Sequence, residues 1–127
     1  MTAYSSVPHD RLIAGMVQPI VTESIVIKTA AGATFKRGAV LARTGFEADG
    51  TWICTIVNST SVTELAKVPV AILADDEVDA TTADVRATCY TQGEFNRKAL
   101  IFGGTDTIIT HEAALNNAKI YTKRVVE

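Results

Sequence analysis

Two cysteines, two histidines and a run of acidic residues are the places where this 127-residue chain could do chemistry. Asp75, Glu77 and Asp79 alternate as the opening ligands of a calcium loop do. Such a loop then requires a glycine for its sharp turn and a bidentate acid at its end, and those positions hold Ala80 and Arg86. The run therefore reads as a solvated acidic turn. His9, beside Asp10, lies in a proline-flanked leader, a poor support for catalysis. His111 falls near a predicted helix start, where a surface position is expected, and neither histidine stands in a zinc-site spacing. Cys54 and Cys89 sit inside apolar, strand-like runs, which predicts buried thiols. A Cys–His dyad would need one of them exposed, against its strand phase. Sequence does not fix the distance between the two sulfurs, so a disulfide stays open. Gly103-Gly104-Thr105-Asp106-Thr107 lacks the lysine and the spacing of a phosphate loop, and Phe35-Lys36-Arg37-Gly38 reads as a charged turn entering a strand. No nucleophile, base and oxyanion hole come together, so the sequence supports neither an enzyme nor a cofactor or metal site.

The elements that would carry these residues are mostly strands. Residues 1–22 hold Pro8 and Pro19 among scattered apolar residues without a sustained period, which predicts an extended arm. Leu12, Ile13, Met16, Val17, Ile20 and Val21 are too apolar for a free tail, so the arm should lie on something. Residues 23–127 form the domain proper. SIVIK (24–28) and AVLAR (39–43) read as strands, and Asp49-Gly50 marks a hairpin turn. TWICTIVN (51–58) is so apolar that cover on both faces is expected. STSVTELAK (59–67) is a loop with room for one helical turn, and VPVAILA (68–74) is a strand with Pro69 near its start. In residues 85–91, Val85, Ala87, Cys89 and Thr91 alternate with Arg86, Thr88 and Tyr90, the period-2 pattern of a half-exposed antiparallel strand that Gly93 should end. NRKALIF (96–102) suits a helical turn. THEAALNNAK (110–119) predicts a helix capped by Thr110, with Glu112 in its first turn, and IYTKRVV (120–126) a closing strand. The total is about seven short strands and one or two short helices, a small single-domain α+β, mainly β fold.

Bulk properties narrow the function further. A net charge of −2 offers no basic field for a nucleic-acid backbone. No apolar run reaches the roughly 20 residues that span a bilayer, and the first residues lack the apolar core of a signal peptide.

Five collinear segments resemble a known family. They are PHDRLIAG (8–15), FKRGAVLARTG (35–45), VPVAILADDEVDATTADV (68–85), QGEFNRKALIFGGTDT (92–107) and AALNNAKIYTKR (113–124). In order and spacing they are similar to the bacteriophage head decoration proteins of the lambda type, from about residue 8 to the C-terminus. The first seven residues match nothing in that pattern. The resemblance implies a non-enzymatic virion protein that forms homotrimers on the outer surface of an expanded phage head. There it would tie neighbouring major capsid protein subunits together against internal DNA pressure, with an N-terminal arm that orders on meeting the shell. Another trimeric virion module, from a tail or baseplate, is the alternative.

Within that frame PIVTESIVIK (19–28) is the expected capsid-binding stretch, by addition to an exposed sheet edge. Leu12, Ile13, Pro19, Ile20, Val21, Thr22 and Glu23 are the candidate contacts of the capsid-binding arm. Ordering each residue costs about 1–2 kcal/mol, so one arm should bind weakly, whereas three on one trimer gain avidity of about 10²–10⁴. Phe95, Leu100, Ile101 and Phe102, where a strand leaves the sheet, are candidates for the trimer interface; the competing reading is that they fill the core of the monomer.

Overall fold

A computed structural model describes residues 12–15 and 19–123. Nine strands lie among these residues: β1 Ile13–Gly15, β2 Val21–Ile27, β3 Thr34–Lys36, β4 Val40–Phe46, β5 Trp52–Ile56, β6 Pro69–Leu73, β7 Glu77–Asp79, β8 Val85–Asn96 and β9 Ile120–Lys123. Two 3₁₀ turns, Glu64–Lys67 and Arg97–Ala99, and one helix, α1 Ile108–Asn117, complete them. The architecture is mainly β, as the sequence predicts.

The strand pairings close on themselves. β8 pairs antiparallel with β2, β2 parallel with β5, β5 antiparallel with β4, β4 antiparallel with β6, and β6 antiparallel with β8. A ring of five strands has a narrow lumen that only small and branched side chains can fill. The first core supplies these: Ile25 and Ile27, Leu41, Cys54, Ala71 and Leu73, and Ala87 and Cys89. β3 and β7 form a separate antiparallel pair that folds Phe35 and Val78 against the same core.

β8 outruns the ring, and its last residues pair with β9 on one side and β1 on the other. Gly93 does not end β8. Its φ of +153° lets the strand change partners without a break, because a residue without Cβ tolerates that backbone. A second core lies outside the ring, under α1: Val40, Ala42 and Ile72 from the outer faces of β4 and β6, with Leu12, Val57, Phe95, Leu100, Leu115 and Ile120. The strands covered on both faces are thus β4 and β6. β5, expected in that role, alternates instead: Trp52, Cys54 and Ile56 meet the first core, while Ile53 and Thr55 are half-buried.

Two further local expectations are corrected. α1 starts two residues earlier than predicted, with Thr107 as its N-cap; Thr110 is its third residue, and its hydroxyl accepts from the Thr107 N–H at 3.2 Å. The pair of β-branched isoleucines, 108 and 109, disguised the start. The acidic connection 75–84 contains a strand, β7, because Val78 and Ala80 have a core to enter.

Candidate interaction surface

The groups with chemical potential are all engaged in structure. Cys54 and Cys89 are free thiols buried in the first core; burial pushes each up to about 12, far from a reactive thiolate. Glu77 and Asp79 are exposed on β7, and the Asp79 carboxylate accepts from the Thr81 backbone and hydroxyl and from Thr34. His9 lies outside the described residues.

His111 is not on the surface. Its side chain is 4% exposed, its ring stacks on Phe102, and its Nε2 lies 2.7 Å from Oδ2 of Asp106. The same carboxylate accepts from the Ser59 N–H and from Ser59 Oγ, each at 2.6 Å. Serine, aspartate and histidine therefore meet, but in an order that cannot activate the serine. In a catalytic triad the imidazole stands between hydroxyl and carboxylate to take the proton. Here the carboxylate is in the middle and the hydroxyl is bound directly to it. What the cluster does is fasten the segment after β5 to the segment before α1. Burial alone would raise Asp106, but the hydrogen bonds from Ser59 and His111 outweigh it and hold the carboxyl below the ordinary aspartate value.

That latch organises a surface. Gly103 N–H donates to Val57 O, and a Cβ on Gly103 would stand 2.6 Å from that oxygen, so the two segments touch backbone to backbone. The loop 57–68 is further tied by Asn58 N–H to Ala66 O and by the Asn58 side-chain Oδ1, which accepts from Thr60 N–H and Oγ1. Around the 3₁₀ turn, Val62, Leu65 and Val68 recur at every third residue and are 100%, 55% and 51% exposed, while Ala66 is buried. Ile101 and Ile109, on the neighbouring segment, are 41% and 82% exposed. Sequence reasoning missed this ridge; the V-x-x-L-x-x-V spacing of residues 62–68 was the signal that could have found it.

The predicted contact residues divide. Phe95 is fully buried, Leu100 nearly so, and both belong to the second core. Phe102 packs against that core and His111; Ile101 is the exposed one of the four. Of the arm candidates, Leu12 is buried in the second core, its carbonyl accepting from Asn96 N–H at 2.8 Å, and Ile13 pairs with Phe95 in β1. Val21, Thr22 and Glu23 are exposed in β2 and pair with β8; Pro19 is exposed and Ile20 half-buried. The structure joins Ile25–Ile27, in the expected docking stretch, to strands on both sides.

No curated protein matches the chain. A family model described as Bacteriophage lambda head decoration protein D matches residues 3–120, nearly the whole sequence. Taken with the mainly β fold and a site without catalytic order, that match fixes the assignment: the chain belongs to the bacteriophage lambda head decoration protein D family.

Proposed function

We propose that this protein binds as a homotrimer to the outer surface of the expanded phage capsid and stabilises it against the pressure of packaged DNA. The observation that carries this reading is the family match over residues 3–120. Capsid contact falls to the N-terminal segment, and the fold redraws its limits. Leu12 and Ile13 anchor the arm on the chain's own β8, which leaves residues 1–11 to reach a neighbour. Val21–Ser24 form a second contact. They pair with β8 along one edge, β5 reaches only Ile25–Ile27 on the other, and their side chains are exposed. An edge of that kind accepts an extended strand through main-chain hydrogen bonds. Repetition over three copies supplies avidity that a short contact lacks.

The test is to mix purified protein with emptied, expanded heads and look for added density at three-fold positions, using the full chain and a form lacking residues 1–11. This deletion spares Leu12 and β2, which a cut at residue 22 would not. The full chain should decorate heads and the truncated form should fold but not bind. Normal decoration by the truncated form would refute the arm contact, and no decoration by the full chain would refute the function.

A further inference from the structure

We infer that the ridge Val62–Leu65–Val68, together with Ile101 and Ile109, is the surface through which a second copy of this chain is bound; the inference rests on the self-associating reading above and gives it a location. Seven large hydrophobic residues are exposed among the described residues, and five of them fall on the two segments 57–68 and 101–109. Those segments are hydrogen-bonded to each other by Gly103–Val57 and Ser59–Asp106. Scattered single apolar residues need no explanation, but a concentration on one built surface does.

Three observations favour a second copy as occupant. The first is size. Scaled by their exposure, the five side chains offer roughly 300 Å² of apolar surface. That suits the apolar centre of an interface burying about 800 Å² on each partner. The second is charge. The ionic groups on the ridge, Glu64 and Lys67, are paired with each other at 2.6 Å, so the ridge presents no unpaired charge of its own to a facing copy. The third is order. The ridge is held by the Asp106 carboxylate and the Asn58 turn before any partner arrives, so little conformational freedom is lost on association. Two adjoining but different apolar segments also meet the need of a cyclic assembly, whose contacts join unlike patches.

The experiment is sedimentation over a concentration series for the full-length protein, Val62→Asp and Ile109→Asp, with a thermal melt and head binding for each. Both sites are so exposed that the fold should tolerate the change, and each variant checks the other. Wild type should associate, and each variant should associate about 100-fold more weakly with an unchanged melt. Association of both variants at wild-type strength overturns the inference, as does a wild type that stays monomeric. Variants that associate normally yet fail to bind heads would assign the ridge to the capsid, overturning the inference while leaving the head-decoration reading intact. Ridge-dependent association in a wild type that binds no head would uphold this surface and sink the function instead.

Discussion

Replacing Asp106 with alanine should be among the most damaging single changes outside the hydrophobic cores. The side chain is 3% exposed and its carboxylate is the shared acceptor for the Ser59 N–H, the Ser59 hydroxyl and the His111 ring. Each hydrogen bond to a charged group is worth about 1.5–3 kcal/mol, and the three are not additive because one carboxylate serves them all. Removing it strands buried donors, so a loss of about 3–5 kcal/mol is expected. For a domain of this size a destabilisation of 1 kcal/mol lowers Tm by about 3–5 °C, so the variant should melt ~10–20 °C below wild type at pH 7. The pH dependence supplies a second check. The folded carboxyl lies below its unfolded value, so its stabilisation is complete above about pH 4 and lost as pH falls through the lower folded value. The gap between wild type and D106A should therefore narrow in acid. Asp49, Asp79 and Asp84 are lowered too, but they are common to both proteins and cancel in the difference. A fall in Tm under about 3 °C at pH 7 would refute the latch.

Three more outcomes are expected. Cys54 and Cys89 should not react with a thiol reagent at pH 8 in the native protein and should react fully in denaturant, since both are buried with thiols pushed to about 12; rapid native labelling of either would refute the packing of the first core. Phe95→Ala should cost about 3–5 kcal/mol in chemical denaturation, because the ring is fully buried in the second core; a loss under about 1 kcal/mol would refute that packing. Gly38→Ala should cost about 2–3 kcal/mol, as φ is +99° and an added Cβ would lie 2.5 Å from the Ala99 carbonyl oxygen; a melt within about 1 °C of wild type would show that the 3₁₀ turn after β8 yields freely.

The fold was legible where one face of one element set the pattern. Residues 85–89 alternate in the sequence and in the structure, with Ala87 and Cys89 inside and Arg86 and Thr88 outside. Asp49-Gly50 announced its hairpin, with Gly50 at φ +91° and Thr51 N–H bonded to the Asp49 side chain. What escaped depends on partners distant in sequence. A period-2 pattern cannot show that β4 and β6 bury both faces, because the second face is covered by α1 and by Leu12, far along the chain. Nor could it show that His111 is buried, since the carboxylate that receives it is held by Ser59 across 47 residues. That Leu12, from the apolar leader, lies on its own domain follows from a register with β8 that only the fold supplies. The four candidates in residues 95–102 looked alike as apolar letters, and the two buried ones separate from Ile101 only once β9 and α1 are in place.

In the proposed reading, self-association and capsid contact fall to different parts of the fold. The ridge at 57–68 and the β2 edge at Val21–Ser24 are held by different parts of the barrel, one by the Asp106 latch and one by β8. In the proposed assembly each added copy would bring its own capsid contact, at the raised effective concentration of a linked site. A protein so divided can be weak copy by copy and still persist on the head, because release requires every contact to open together. Mutations in the ridge should therefore weaken head binding through lost avidity, leaving the affinity of a single copy for its capsid site unchanged.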